Sequence, residues 1–150
     1  IIPALRGLFY SFASYAEQKN INIKFSSTSD NILAWFDRDK LDKILNNILS
    51  NAFKFTPQGG SISVDVKYIL ISGTKYLQIF IKDSGIGIPK DKIEKIFDRF
   101  YQVDDSSRRA YGGSGIGLSL VREFVDLHKW KIFADSEVYF RNSIERFLSE

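Results

Sequence analysis

Asn47, Asn51 and Lys54 stand four and three residues apart on one segment. At about 100° per residue they fall within roughly 60° of one another on a helix, away from its apolar stripe. A carboxamide oxygen is a hard ligand suited to Mg²⁺, and a lysine ammonium is a point charge for phosphate. Asparagine is a mediocre helix former where Ala or Glu would serve better, which argues for a task, although this face alone also fits a solvated surface. Asp83 closes the run YLQIFIK, with Gly85 and Gly87 directly after it. A carboxylate there can accept a hydrogen bond from an exocyclic amine such as that of adenine, while the glycines turn the backbone against a flat ring. An ordinary Asp-Ser-Gly turn reads the same way. Gly112, Gly113, Gly115 and Gly117 run into a helical pattern from about Ile116, so that open amides and a positive helix end make an anion site. Alone, this stretch also fits a flexible hinge. It is not a P-loop, since no Gly-Lys-Ser/Thr follows, and no strong parallel strand precedes it as a dinucleotide fold requires. In the order 46–57, 83–89 and 112–121, the three segments imply a nucleotide ligand, with Mg-ATP the species whose parts they match.

The elements that must carry these groups follow from hydrophobic periodicity. Leu5, Leu8, Phe9, Phe12 and Ala16 predict an amphipathic helix over 3–18, and Ile21, Ile23 and Phe25 a short strand. Residues 32–36 are a second short apolar run. Asp39 is the expected N-cap of a helix whose stripe is Leu41, Ile44, Leu45, Ile48, Leu49 and Ala52, stopped by Pro57 and Gly59-Gly60. Alternation at Ile62, Val64 and Val66 and at Leu77, Ile79 and Ile81, with Ser72-Gly73-Thr74 between, predicts a β-hairpin. Pro89 is placed to open a helix with Ile93, Ile96, Phe97 and Phe100 on its inner face. Residues 101–111 lack periodicity and read as a flexible loop, 115–128 as helix and 132–134 as a strand. Helices mixed with antiparallel strands give an α+β fold, a two-layer sandwich of one sheet and one helical layer.

The composition narrows the function classes. At 150 residues and 44% hydrophobic content the chain can bury a core as one domain. A net charge of +3, with no basic cluster interleaved with aromatics, speaks against nucleic acid as partner. No apolar run reaches membrane-spanning length and no signal peptide is present, so no direct membrane contact is expected. Absent cysteines remove disulfides and thiolate metal sites. His128, the one histidine, fits a structural or capping place near a helix end, and Arg108 and Arg109 are either a phosphate contact or a solvated pair. The first residue is not methionine, and the chain reads as part of a longer protein.

Over roughly residues 5–136 the chain resembles the catalytic ATP-binding domain of a sensor histidine kinase, in the GHKL superfamily shared with gyrase, mismatch-repair MutL and the heat-shock chaperone ATPase. NNILSNAFKFTP resembles the family's N box, DSGIGIP its first glycine box, IFDRFYQVD its F box and GGSGIGLSLV its second glycine box. The F box and the Lys-Phe-Thr ending of the N box favour a histidine kinase over the other branches. The resemblance implies the Bergerat fold, a mixed, mainly antiparallel sheet of five strands backed by three helices. It also implies ATP and Mg²⁺ as cofactors, with Asn51 ligating the Mg²⁺ and Asn47 and Lys54 contacting phosphate. By the same resemblance Asp83 meets the adenine amine, Phe55, Ile88 and Leu118 pack around the ring, and Gly85 and Gly87 shape the pocket. Gly113, Gly115 and Gly117 then carry the phosphate end of a mobile lid over 101–114 that Phe97 and Phe100 anchor.

The implied protein is an ATP-dependent histidine kinase acting in two-component signal transduction. Its implied partners are a histidine-containing dimerisation domain of the same parent and a response regulator receiver domain, and its implied place is the bacterial cytoplasm, with a parent that is membrane-anchored or not. Residues 1–18 read as the end of a linker and a first helix, 19–136 as the ATP-binding domain and 137–150 as an atypical tail. Two features depart from the family pattern. No phosphoacceptor segment is present, and His128 matches the histidine after the second glycine box, so this stretch is expected to bind ATP without phosphorylating itself. Lys129-Trp130 stands where the family has glycines, and the last strand is not read in VYFRNSIERFLSE. Two rivals use the same pocket: a nucleotide-gated interaction module, and a serine-directed anti-sigma kinase of the same superfamily.

Overall fold

The computed structural model describes residues 1–103, 113–137 and 141–149, the last nine and Glu137 by their backbone only. The chain opens with α1 (Ile2–Tyr10) and α2 (Ala13–Gln18), where the periodicity predicts one helix. The break has a local cause. Ser11 Oγ donates to Leu8 O at 2.6 Å and its amide is shared between Gly7 O and Leu8 O, so side chain and backbone compete for the same turn. Asn20, at φ +52°, then turns the chain into β1 (Asn22–Ser27).

No regular element forms over 32–36, although Ile32 itself is buried. The long helix α3 (Arg38–Phe55) follows. Its N-cap is Asp37 and not Asp39: the Asp37 carboxylate accepts from Lys40 N, while Asp39 lies in the first turn. The hairpin forms as expected from β2 (Ser61–Ile71) and β3 (Thr74–Asp83), in register from Ile71↔Thr74 to Ile62↔Asp83. Its two-residue loop has Ser72 at φ +50° and Gly73 at φ +81°, the mirror-image turn whose twist suits a hairpin.

Beyond Pro89 the expected helix is replaced by two 3₁₀ turns, Lys90–Lys92 and Glu94–Phe97. The i→i+3 bonds Lys92 N to Pro89 O and Asp98 N to Lys95 O wind this stretch too tightly for an α-helical face. Of its four expected inward residues only Ile96 is buried, and Phe100 is 66% exposed. Then come α4 (Gly117–Leu127), β4 (Lys131–Ile132), β5 (Asp135–Glu137) and β6 (Arg141–Ser149).

Among the described residues the sheet has six strands in the order β1-β2-β3-β6-β4, with β5 also paired to β6. Only β1 and β2 run parallel; every other pair is antiparallel. The register on β6 continues without a slip from Ile132↔Arg146 to Asp135↔Ser143, so β4 and β5 are two pieces of one edge interrupted at Phe133-Ala134. The sheet is therefore five strands wide. The last strand along the chain, β6, lies between β3 and that edge, in the stretch where no strand is read from sequence. Ile144, Phe147 and Leu148 lack the two-residue period that marks a strand, and long-range pairing to β3 supplies what local pattern does not.

The core is the layer between sheet and helices. Ile62, Val64 and Val66 of β2 and Leu77, Ile79 and Ile81 of β3 meet Ile2, Leu5 and Phe9 of α1, the stripe of α3, and Val121 and Val125 of α4. The alternation of β2 and the 3–4 spacing of α3 thus bury one face each and leave the other face of α3 for chemistry.

Candidate functional site

The last turns of α3 present Asn47, Asn51, Lys54 and Phe55, all half-buried, on the side opposite Leu41, Ile48 and Leu49. Asn47 Nδ2 donates to Lys43 O at 2.8 Å, which directs its carbonyl oxygen outward to the start of α4. A Cβ on Gly117 would lie 2.6 Å from that oxygen, so any larger residue there must displace the Asn47 side chain. Lys54 Nζ lies 5.0 Å from the Phe55 ring centroid and 2.9 Å from where a Cβ of Gly113 would stand. Two residues of α3 and two glycines before or at the start of α4 therefore face each other directly.

The N-terminus of α4 has Ile116 at its N-cap, with no side-chain cap among the described residues. The first amides of a helix have no carbonyl partner within it, and with the helix dipole they suit an anion. Gly115, at φ +68°, accepts from Phe100 N at 3.0 Å, and a Cβ there would stand 3.0 Å from Phe100 backbone atoms. Gln102 Nε2 donates to Gly113 O at 2.9 Å. Phe100 itself holds φ +63°, a strained backbone for an aromatic residue. Phe97 is half-buried against the core with Arg122 5.3 Å above its ring. Arg99 donates to Glu123 Oε1 through both Nε and a terminal nitrogen, which ties this stretch to α4 and raises the guanidinium pKa.

Beyond the C-terminus of α3, Asp83 terminates β3 with only 6% exposure, and its Oδ1 accepts from Gly85 N at 2.8 Å. The loop it opens is held at two points. Ile86 N donates to Phe55 O at 3.3 Å, and Ile88 N donates to Ser136 Oγ at 2.8 Å. Gly87 between them takes φ +79°. Leu118, in the first turn of α4, is half-buried and packs on the core. The sequence-predicted set thus gathers around the C-terminal half of α3: Asn47 with Gly117, Lys54 with Gly113, and Phe55 with the loop that carries Gly85, Gly87 and Ile88. Gly112, Arg108, Arg109 and most of the 101–114 lid lie outside the described residues. His128 is the C-cap residue of α4 and bonds Phe124 O through Nδ1 at 2.8 Å, a structural place.

The donor set suits a metal-bound nucleotide. Carboxamide oxygens at the exposed edge of α3 are hard ligands, a lysine and an uncapped helix start suit phosphate, and a buried carboxylate suits a base amine. A family model described as histidine kinase-, DNA gyrase B-, and HSP90-like ATPase matches residues 36–146, the stretch that contains every one of these groups. The chain belongs to that ATPase family. Histidine kinase P4 of Formosa agariphila, a curated relative, is 39% identical over 135 residues, covering 88% of this chain and 10% of the relative. Sensor histidine kinase WalK of Bacillus subtilis is 47% identical over 102 residues, covering 67% of this chain and 16% of WalK. The chain therefore spans a small part of the relatives it matches. The fold of this ATPase-family chain superposes on the catalytic domain of histidine kinase ThkA with a TM-score of 0.81 at 23% identity, over 98% of this chain and 90% of that one. ThkA is also solved in complex with a response regulator protein, TrrA; there the TM-score is 0.75 at 22% identity, over 98% of this chain and 40% of that one.

Two residues at the site escape sequence reasoning. Ser136 is buried in β5 and holds the Ile88 amide, and Lys19 holds the end of α3. Neither belongs to a motif, since each acts across more than thirty residues of chain. The proline at 57 was the available signal for Lys19, because it deletes a donor that the helix end must find elsewhere.

Proposed function

We propose that this chain is the ATP-binding catalytic domain of a sensor histidine kinase, which presents the γ-phosphoryl of Mg-ATP to a histidine on a separate dimerisation domain. The observation that carries the reading is the convergence of three distant motifs on one helix end: Asn47 against Gly117, Lys54 against Gly113 and Phe55 O bonded to Ile86 N. Bound ATP supplies the phosphoryl group, and Mg²⁺ would spread its charge. Asn51 would hold the Mg²⁺; Asn47 and Lys54 would orient phosphate oxygens. Asp83 would fix the base by its amine between Phe55, Ile88 and Leu118. Gly113, Gly115 and Gly117 would let backbone amides approach the phosphates without side chains in the way. The work of these residues is positioning and charge stabilisation.

The relatives' names support histidine as acceptor, and the solved complex of ThkA with a response regulator protein supports a response regulator receiver domain as the partner downstream of the parent protein. Among the described residues no helix is long and apolar enough to cross a membrane, and a cytoplasmic place for the domain accords with ATP as ligand. The test is calorimetric titration of the chain with ATP, with and without Mg²⁺. Saturable one-site binding that weakens when Mg²⁺ is withdrawn is expected; no binding by a demonstrably folded sample overturns the reading. A helix hairpin containing a histidine, supplied as acceptor, is expected to take acid-labile label, and acid-stable label on a hydroxyl would point to serine-directed transfer.

A further inference from the structure

The C-terminus of α3 accounts for all its last carbonyls in an unusual way. Ala52 O keeps a helical partner in Thr56 N at 3.0 Å. Phe53 O cannot, because its partner would be the nitrogen of Pro57, which has no hydrogen. Lys19 supplies the missing donor: its Nζ lies 2.8 Å from Phe53 O, 3.3 Å from Thr56 O and 3.5 Å from Lys54 O. Phe55 O is served separately by Ile86 N, because Gly59 N, its helical partner by spacing, donates to Asn20 O at 3.0 Å. An ammonium at the negative end of a helix is favourable by charge as well as by hydrogen bonding.

Lys19 does not arrive alone. It follows α2, and Phe12 before that helix stacks on Phe53 with centroids 5.0 Å apart and planes within 5°. Tyr15 meets the same ring edge-on at 5.8 Å, and Lys19 Nζ lies 5.5 Å from the Tyr15 ring. Asn22 N to Gly60 O completes the seam between this arm and the segment after α3.

We infer that Lys19 is a positioning residue for the phosphate end of the nucleotide site, acting through the last turn of α3. The inference rests on the nucleotide reading above. Lys54 and Asn51 project from the turn whose carbonyls Lys19 closes, whereas Asp83 is fixed by Gly85 N, and Phe55 by Ile86 N, without Lys19. Loss of Lys19 therefore loosens the phosphate side and spares the base side. Through this ammonium, and through the Phe12 and Tyr15 rings on Phe53, the arm formed by α1 and α2 is in direct contact with the site helix.

The test compares ATP with adenosine on the wild-type chain and on Lys19→Ala, Lys19→Gln and Lys19→Arg. Lys19→Ala is expected to weaken ATP about tenfold, the equivalent of about 1.4 kcal/mol, and to change adenosine less than twofold. Lys19→Arg is expected to restore ATP binding, and Lys19→Gln to fall between. Equal losses for both ligands, or no loss, overturn the inference. If Lys19→Ala does not fold, the ATP-to-adenosine ratio in Lys19→Gln decides, and an unchanged ratio overturns the inference. If the wild-type chain binds no ATP, the nucleotide reading falls. Amide hydrogen exchange at Thr56 and Lys54 then judges Lys19 by itself: faster exchange in Lys19→Gln supports its hold on the helix end, and unchanged exchange removes it.

Discussion

Individual side chains at this site are constrained by what stands opposite them. Gly117 has room for a methyl group only if Asn47 moves, because Asn47 Oδ1 stands 2.6 Å from its absent Cβ. Gly117→Ala is therefore expected to push Asn47 aside and weaken Mg-ATP severalfold, while thermal unfolding moves by a few degrees at most; titration and melting of the same variant check both halves. Asp83 carries a different kind of constraint. It is nearly buried and its Oδ1 accepts from Gly85 N, which fixes a carboxylate, a group able to accept from a base amine, at the end of β3. Losing a hydrogen bond to a charged group costs about 1.5–3 kcal/mol, so Asp83→Ala is expected to lose about 10- to 150-fold in nucleotide affinity. Unchanged affinity in that variant would sink the adenine assignment. Asn51→Ala is expected to bind ATP with nearly the same affinity whether or not Mg²⁺ is present; a wild-type difference between the two titrations would refute Asn51 as the metal ligand.

At the scale of elements, α3 decides most of the site, and both of its ends are held by side chains. Asp37 caps the start, and Asp37→Ala is expected to cost about 1 kcal/mol by denaturant unfolding. One turn on, the Lys43 ammonium donates to the exposed Asp39 carboxylate at 2.7 Å, with Lys40 adding to it, and this holds the Asp39 pKa below its ordinary value. A carboxyl whose folded pKa is depressed contributes stability above its unfolded value and loses it as pH falls through the folded one. Exposure keeps the effect small. Lys43→Ala is expected to raise the Asp39 pKa toward the ordinary carboxylate value, as an NMR titration would read directly. The far end of α3 depends on Lys19, since Pro57 both stops the helix and removes the donor it would have used. The stretch after Pro89 shows how far an element can depart from its pattern: its apolar spacing fits an α-helix, yet 3₁₀ turns leave Phe100 at positive φ, bonded to Gly115.

For the whole molecule, one core serves both layers, and the site lies along its edge. Ile79 is fully buried in the middle of β3, between β2 and β6 and beneath the helices. Ile79→Ala is expected to cost about 2–5 kcal/mol of stability, enough to threaten a domain whose total is about 5–15 kcal/mol. A loss below about 1 kcal/mol would mean that the two layers do not share this core.

What the sequence determined by itself is what short-range physics controls. The α3 stripe at 3–4 spacing, the alternation of β2 and β3 around Ser72-Gly73, and the order of the motifs at Asn47, Asp83 and Gly117 all express local periodicity or steric need. Only tertiary structure decided the rest. The β6 strand lacks alternation and forms because β3 offers it a ladder of backbone partners. Ser136 and Lys19 reach the site from 48 and 34 residues away, bonded to Ile88 and Phe53 respectively. Such contacts leave no period in the chain, because a buried backbone group demands a partner without specifying where in the sequence that partner must lie.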